Sequence, residues 1–250
     1  KNYTYMCFDV NPSDLKEAIQ GLKALNVFGC NVTIPHKVEV IKYLDKIDKN
    51  AKLIGAVNTI KNEGGILKGY NTDGKGFVKS ILDKGYELKG KKVMIIGAGG
   101  SCRSIAVELA SNNVELIEIR NRSEEKANNI TSILNEHFDI KAQYSTKKIE
   151  TSDLDSIDIL INTTPIGMGT SECPIDESII PNKKLLVCDI VYKPHDTNFI
   201  KWGCKNGLDT IYGIDMLINQ GLEAFYIWTD INPTKEDQKA IKKFYLDSIK

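Results

Sequence analysis

The residues best suited to chemistry in this sequence form a glycine-rich turn between an apolar run and a helical pattern. The run Val93–Ile96 predicts a buried strand, and the helical pattern begins at Ser101. In this order, a strand delivers a dinucleotide pyrophosphate to the positive N-terminus of a helix. Cys102 holds the last small position, so the match is to the relaxed form of the G-x-G-x-x-G/A pattern. The predicted phosphate contacts are Gly97, Ala98, Gly99, Gly100 and Ser101.

The end of the next predicted strand, Glu115–Arg120, indicates which nicotinamide cofactor this turn binds. An acidic residue at that position accepts from the ribose 2′-hydroxyl and selects NAD, but the three residues that follow are Asn-Arg-Ser. A guanidinium attracts the 2′-phosphate of NADP, which a carboxylate would repel. The alternative interpretation is a polar helix cap, with the serine capping the next helix. The residues predicted to bind NADP here are Asn121, Arg122, Ser123 and Lys126.

Composition argues against several other classes of function. The 33 basic and 33 acidic residues balance, so no net field attracts nucleic acid or a membrane surface. No apolar run reaches the roughly 20 residues of a membrane helix. The six cysteines lack C-x-x-C spacing and the three histidines form no ligand pair, so we predict no metal site. We interpret the cysteines as buried free thiols, which favours a cytoplasmic protein.

Two patterns divide the chain into the elements that would position these residues. From about residue 79 to 212, strand and helix patterns alternate, which predicts a parallel sheet covered on both faces. Residues 1–78 mix strands, helices and a hairpin signal, and residues 213–250 are helical and are expected to return to this first part. The prediction is an α/β fold of two lobes. Residues 1–78 plus 213–250 would form a substrate domain, and residues 79–212 a Rossmann domain that binds NADP.

Hydrophobic periodicity assigns the individual elements. Alternation over Tyr3–Val10 predicts a first strand, and a helical period follows over Asp14–Leu25. Near the C-terminus, Pro233 separates two predicted helices, Asp215–Trp228 and Lys235–Ile249. The other predicted strands are Phe28–Ile34, Val57–Ile60, Ile66–Tyr70, Val93–Ile96, Glu115–Arg120, Ile157–Ile161 and Leu185–Val191. The other predicted helices are Val38–Leu44, Ala51–Ile54, Gly74–Leu82, Ser101–Ser111, Ser123–Asn135 and Thr197–Asn206.

Four short motifs, together with the glycine-rich turn, resemble the shikimate dehydrogenase family. They are N-V-T-I-P-H-K at Asn31–Lys37, G-A-V-N-T at Gly55–Thr59, N-T-D-G at Asn71–Gly74 and N-T-T-P-I-G-M at Asn162–Met168. Each is too short to be specific alone, but four in the right order at fitting spacings are specific. The resemblance covers the chain from the first predicted strand to the last helices. It implies reduction of 3-dehydroshikimate to shikimate with NADPH, in the pathway to aromatic amino acids.

The resemblance assigns a catalytic pair, Lys37 of the first motif and Asp73 of N-T-D-G. Hydride addition to a ketone creates an alkoxide, so a proton donor must stand beside the oxygen. A lysine ammonium can donate that proton and stabilise the developing charge, while a carboxylate orients the lysine. The resemblance also implies substrate contacts at Thr33, Asn58, Asp73, Tyr192 and Gln220, and cofactor contacts at Ile190 and Gly213.

The sequence departs from the family at its first residues. Family members begin with a strand and a short Ser-x-Ser segment that binds the substrate carboxylate, and residues 1–10 do not match this segment. We therefore expect an upstream segment, or a fusion to another pathway domain, and weak substrate binding by this chain alone. A homodimer is equally left open by the sequence.

Three other functions stay open on the sequence alone. One is a quinate/shikimate dehydrogenase that prefers NAD, against which the missing acid after Ile119 argues. Another is a non-catalytic module that binds nucleotide within a larger pathway protein. The presence of both Lys37 and Asp73 argues against this module, because it has no physical need for the pair. A Rossmann protein acting on some other substrate is the general fallback.

Overall fold

A computed structural model of the protein describes residues 3–182 and 184–249. The chain divides into two compact units, the first ending at Asn71 and the second beginning at Thr72. Within the described residues, the first unit contains a four-stranded sheet and the second a six-stranded sheet. No helix in this part of the chain is long and apolar enough to cross a bilayer.

The first unit is a small mixed sheet with short helices. Its strands have the order β1-β3-β4-β2, and β3 and β4 form an antiparallel hairpin that turns at Gly64 and Gly65, both with positive φ. The predicted hairpin is thus confirmed. The core contains Val57, Ile60 and Leu67, all fully buried. The elements are α1 (Leu15–Ala24), β1 (Gly29–Asn31), β2 (Lys46–Ile47), α2 (Lys49–Ile54), β3 (Thr59–Glu63) and β4 (Ile66–Tyr70), with 3₁₀ turns at Pro12–Asp14 and Glu39–Tyr43.

The predicted first strand, Tyr3–Val10, is wrong. This segment pairs with no strand among the residues that the structure describes. Its apolar side chains are mostly exposed, and Phe8 reaches 78%. Two side chains do make contacts, because Tyr5 Oη donates to Asn31 Oδ1 at 2.8 Å and the Tyr3 ring stacks on Phe28. Alternation fixes which side chains share a face, whereas a strand also needs a neighbouring backbone to bond with.

The second unit contains a fully parallel sheet with the strand order β10-β9-β8-β5-β6-β7. Numbered from β5, this order is 6-5-4-1-2-3, the Rossmann arrangement, and it reverses between β5 and β8. The strands are β5 (Lys92–Ile96), β6 (Leu116–Arg120), β7 (Lys141–Ser145), β8 (Ile159–Asn162), β9 (Leu186–Asp189) and β10 (Asp209–Ile211). The helices are α3 (Asp73–Asp83), α4 (Gly100–Ser111), α5 (Glu124–His137), α6 (Thr151–Leu154), α7 (Asn198–Lys205), α8 (Gly213–Thr229) and α9 (Lys235–Ser248).

Long periodic segments of this unit are predicted correctly, and short or polar ones are not. The central strands β5 and β8 are almost wholly apolar and buried, as a sheet covered on both faces requires. The two edge strands, β7 and β10, carry polar residues and no apolar run, so periodicity missed them. It also missed the four-residue helix α6 of this unit and, in the first unit, the two-residue strand β2.

All six cysteines are free, but the prediction that they are buried is only partly right. Cys102 and Cys188 are buried, and Cys30 and Cys173 are intermediate. Burial raises the pKa of the Cys30 and Cys173 thiols to about 11. The prediction is wrong for the remaining two, Cys7 in the extended first segment and Cys204 on α7, which are exposed.

Candidate functional site

The turn after β5 has the backbone geometry that its glycines predict. Gly97 has a φ of +103°, in the left-handed region, and its N–H donates to the Arg120 carbonyl at 2.8 Å. A Cβ at Gly97 would lie 2.9 Å from Thr163 Oγ1, so a larger residue does not fit. Gly99 and Gly100 border open space, because a Cβ added at either position would meet none of the described atoms within 4 Å. The turn is therefore packed on one side and open on the other.

Helix α4 begins at Gly100, directly after this turn, with Gly99 as its N-cap. Gly99 has no side chain to cap the first N–H groups of the helix, which are the donors that bind anions at a helix N-terminus. Ala98 and Ser101 flank these glycines and are partly buried. Cys102 is fully buried, and burial raises the pKa of its thiol to about 12, so it acts as a small neutral residue. These features fit a dinucleotide pyrophosphate.

The glycine-rich turn lies where the strand order reverses, between β5 and β8. Thr163, just after β8, donates from both its N–H and its hydroxyl to the Ile96 carbonyl, at 2.9 and 2.8 Å. The motif Asn162–Met168 therefore adjoins the turn. Open α/β sheets bind ligands in the crevice beyond the carboxyl ends of the strands at such a reversal.

A buried polar network supports the loops after β8 and β9. Asp189 Oδ1 accepts from Asn162 Nδ2 at 2.9 Å and from the Val191 N–H at 3.0 Å. Its Oδ2 accepts from Thr197 Oγ1 at 2.6 Å. Burial raises the pKa of the Asp189 carboxyl, although these hydrogen bonds oppose the shift. This network was not predicted from the sequence; its signal is a polar residue at the end of each of two neighbouring apolar strands.

Beyond the end of β6, the chain presents the side chains predicted to select NADP. Arg122 and Lys126 are exposed, and Arg122 forms no ion pair within residues 3–182 and 184–249. Asn121 Nδ2 donates to the Ser123 carbonyl at 2.8 Å and so shapes the turn. Ser123 is the N-cap of α5, but its side chain makes no capping hydrogen bond, so the cap interpretation of this hydroxyl is wrong. An exposed guanidinium beside polar groups suits a 2′-phosphate.

Helix α3 carries Asp73 at its N-terminus and two glycines that bring neighbouring helices close. A Cβ at Gly74 would lie 2.9 Å from Glu108 Cβ, so α3 and α4 approach closely there. A Cβ at Gly76 would lie 2.7 Å from Gln220 Cα, so α3 and α8 do the same. Helix α3, which begins at Asp73, therefore packs closely against the helix of the glycine-rich turn and the helix that carries Gln220. No role was predicted from the sequence for these two glycines.

Two further predicted residues, Ile190 and Gly213, lie against each other. A Cβ at Gly213 would lie 2.6 Å from the carbonyl carbons of Ile190 and Val191, so only glycine fits at the start of α8. Ile190 is partly buried, while Tyr192 is 42% exposed. The Tyr192 carbonyl accepts from Tyr245 Oη of α9 at 3.0 Å. Their contacts with cofactor and substrate stay predictions.

In the first unit, the end of β1 and the start of β3 bring Thr33, Lys37 and Asn58 into one region. The Val32 N–H donates to the Asn58 carbonyl, and the Val57 N–H donates to the Lys37 carbonyl, both at 2.8 Å. Asn58 is buried, Lys37 is partly buried and Thr33 is exposed. Among the described residues, no three His, Cys, Asp or Glu side chains are grouped to hold a metal ion.

Three family models match the chain in sequence order. The model described as "Shikimate dehydrogenase substrate binding domain" matches residues 1–60. "Shikimate / quinate 5-dehydrogenase" matches residues 77–190, and "Shikimate 5'-dehydrogenase C-terminal domain" matches residues 213–240. The matches therefore include the regions of Lys37, the glycine-rich turn and Gln220.

Individual proteins resemble most of the chain. It is 47% identical over 247 residues to shikimate dehydrogenase (NADP(+)) of Methanocaldococcus jannaschii, covering 95% of this chain and 85% of that protein. The crystal structure of shikimate 5-dehydrogenase from Listeria monocytogenes, with shikimate and NAD, has 34% identity and a TM-score of 0.85, covering 94% and 84% of the two chains. The ligand-free 5-ketofructose reductase of a Gluconobacter strain has 37% identity and a TM-score of 0.85, covering 92% and 83%.

Proposed function

The chain belongs to the shikimate dehydrogenase family, and we propose that it catalyses the reversible NADPH-dependent reduction of 3-dehydroshikimate to shikimate. The observation that carries this proposal is the identity of 47% with an NADP(+)-dependent shikimate dehydrogenase over 95% of this chain. The exposed Arg122 beyond the end of β6 supports the choice of NADP, and the open glycine-rich turn supports the binding of a dinucleotide. The reaction belongs to aromatic amino acid biosynthesis.

The mechanism assigns one task to each predicted residue. NADPH, when bound, supplies a hydride for the carbonyl carbon of the substrate. Lys37 donates a proton from Nζ to the carbonyl oxygen and stabilises the negative charge that develops there. Asp73 accepts a hydrogen bond from a substrate hydroxyl. Thr33, Asn58, Tyr192 and Gln220 bind the remaining polar groups of the substrate. The reverse reaction returns the proton to Lys37.

The functional division of the chain is also a proposal. Residues 1–78 plus 213–250 bind the substrate, and residues 79–212 bind NADP. The match of residues 1–60 to a substrate-binding domain and the Rossmann strand order support this division. Homodimer formation, fusion to another pathway domain and a cytoplasmic location stay predictions, and light scattering of the purified protein tests the first of them.

Shikimate oxidation with NADP, followed at 340 nm, tests the proposed function. We expect Lys37→Ala to lower kcat by about 10²- to 10⁴-fold, because the proton donor is lost, with unchanged Kd for NADPH. Lys42→Ala is the matched control, since Lys42 is an exposed lysine nearby in sequence that pairs with Glu39. Turnover that survives in Lys37→Ala would contradict the role of Lys37.

Substrate and cofactor comparisons separate this function from its alternatives. The wild type should favour NADP over NAD and shikimate over quinate. Faster turnover with NAD would support an NAD-preferring quinate/shikimate dehydrogenase. The similarity to a 5-ketofructose reductase makes 5-ketofructose the third substrate to compare. Binding of NADPH without turnover of any substrate would instead indicate the non-catalytic module.

A further inference from the structure

Helix α9 and the loop between β9 and α7 border a cavity of about 1180 Å³. Its lining combines lysines with apolar and ring side chains, from the loop Lys193, Pro194 and His195 and from the helix Lys239, Lys243 and Leu246. None of the lining residues was predicted to contact the cofactor or the substrate. We propose that this cavity is a further ligand site, which binds a small organic anion with an apolar or aromatic body and a single acidic group.

Three lysines of the lining have no ion-pair partner among the described residues. Lys193, Lys239 and Lys243 are all exposed. Lys239 and Lys243 are four residues apart on one face of α9, and like charges at this spacing repel each other. An acidic group placed between them would relieve this repulsion and accept hydrogen bonds from their ammonium groups.

The charge balance of the lining favours one acidic group over a polyphosphate. A fourth lysine of the lining, Lys242, is already paired with Asp215 of α8 at 2.5 Å. Asp196 and Asp247 also line the cavity and repel anions. Three lysines against two aspartates leave little surplus positive charge, so the aspartates would oppose a ligand that carries several charged groups.

The apolar part of the lining offers a surface for the body of such a ligand. Pro194, Leu246 and Ile249 border the cavity, and Ile249 is 45% exposed. The His195 ring stacks on the Tyr212 ring, with centroids 4.4 Å apart and an interplanar angle of 10°. Its Nδ1 is buried and has no hydrogen-bond partner within residues 3–182 and 184–249, so stacking holds this ring as a flat wall. An apolar or aromatic body gains free energy by covering such a concave surface.

The helix and the loop are joined by contacts that keep the cavity open without a ligand. Tyr245 of α9 donates from Oη to the Tyr192 carbonyl at 3.0 Å, at the start of the loop. At the end of the loop, Thr197 Oγ1 donates to Asp189 Oδ2 at 2.6 Å. A concave surface that is already formed costs less free energy on binding than one that must first be ordered.

Anilinonaphthalene sulfonate, an aromatic probe with one sulfonate group, tests the site on the full chain. NADP and shikimate are added at saturation, so that the predicted cofactor and substrate contacts are occupied. We expect one probe molecule to bind per chain. Lys239→Gln combined with Lys243→Gln should raise the Kd of the probe about tenfold, because its sulfonate loses two charged donors. Lys235→Gln is the matched control and should change the Kd by less than about twofold, since Lys235 begins the same helix but does not line the cavity.

Phenylnaphthylamine has the same ring body without the sulfonate and separates charge from apolar contact. It should bind about tenfold more weakly than the sulfonate, and the two lysine substitutions should leave its Kd unchanged. An unchanged Kd of the sulfonate in the lysine variant would overturn the proposal. Displacement of the sulfonate by NADP would overturn it as well, because the probe would then occupy the cofactor site.

The His195 ring gives a local readout that does not depend on fluorescence or on the oxidation of shikimate. The chain has three histidines, so their ring signals in NMR spectra are few, and that of His195 is assigned by its loss in His195→Ala. The sulfonate probe should shift the His195 signal and leave those of His36 and His137 in place. A His195 signal that stays in place at saturating probe would overturn the proposal, as would the absence of any binding.

Discussion

Arg120 and Arg122 lie two residues apart, yet their positive charges have different surroundings. Arg120 is the last residue of β6, and Arg122 lies beyond the end of this strand. Arg120 is 8% exposed, and its guanidinium pairs with Glu118 and with Asp153 of α6, the latter at 2.7 Å. Arg122 is exposed and has no acidic partner in the part of the chain that the structure describes. The first arginine holds the sheet edge together, which leaves the second available to an anionic ligand.

The difference follows from where the strand ends. Glu118 and Arg120 are two apart in β6, so they share one face of the sheet, and Gln143 of β7 donates to Glu118 from the paired position at 2.7 Å. After Asn121, which still donates from its backbone to the Ser145 carbonyl, the chain turns towards α5. Strand alternation no longer applies to Arg122, so its side chain leaves the buried face.

The largest expected effect is a loss of folding stability on substitution of Arg120. Arg120→Met leaves the carboxylates of Glu118 and Asp153 without their cationic partner, which typically costs about 3 kcal/mol. The melting temperature should fall by roughly 6–12 °C for a chain of this size. Arg122→Met is the matched control and should change stability by less than about 0.5 kcal/mol. Thermal and urea unfolding measure both variants, and equal losses in the two would refute the contrast.

The next largest effect is expected at Arg122 and concerns the cofactor. Arg122→Gln removes the charge that we propose binds the 2′-phosphate, so the Kd for NADPH should rise roughly 10- to 100-fold. The Kd for NADH, which lacks this phosphate, should stay within about twofold. Nicotinamide fluorescence measures both constants. An equal loss of affinity for NADH would mean that Arg122 stabilises the turn after β6 and does not bind the 2′-phosphate.

This strand end also indicates how far sequence reasoning reaches. The sequence predicted β6 and placed Arg122 beyond it, because an apolar run followed by Asn-Arg-Ser defines where the strand stops. It could not predict that Arg120 is paired, since Asp153 lies 33 positions later on a helix of four residues without a periodic pattern. Local patterns determine strands and turns, whereas ion pairs depend on the order of the strands in space.

The first unit gives the converse case. The alternation of Tyr3–Val10 is real, but a strand depends on a partner that lies elsewhere in space, and the structure shows none among the described residues. Thr33, Lys37 and Asn58 were assigned by family motifs, and the structure adds the backbone bonds that bring them together. Gly74 and Gly76 were missed because their role is contact with other helices, which no local pattern records.

A smaller effect is expected from acid. Burial favours the neutral form of Asp153, but the Glu150 N–H bond and the charge of Arg120 outweigh it and lower the pKa of this carboxyl. Because the pKa of this carboxyl is lower in the folded than in the unfolded state, its ionised form stabilises the protein at pH values above the unfolded pKa of about 3.9. This stabilisation is lost as the pH falls through the folded pKa. Asp153→Asn should therefore reduce, by about 1 kcal/mol, the loss in free energy of unfolding that occurs below about pH 4. In the Arg120→Met background, Asp153→Asn should reduce this loss by a smaller amount. Urea unfolding across this pH range measures both effects.

The smallest effect is expected at Lys126, one helical turn beyond Arg122. Its side chain is exposed, so water and salt screen its charge, and it lacks the forked donors of a guanidinium. Lys126→Gln should raise the Kd for NADPH by about threefold at low salt, and the difference should vanish near 0.5 M salt because screening removes it. Arg122→Gln should retain most of its effect at that salt concentration, since bidentate hydrogen bonds to phosphate are short-ranged. If both variants lost their effects in parallel as salt increased, the two residues would act alike, as a diffuse positive field, and direct recognition by Arg122 would be ruled out.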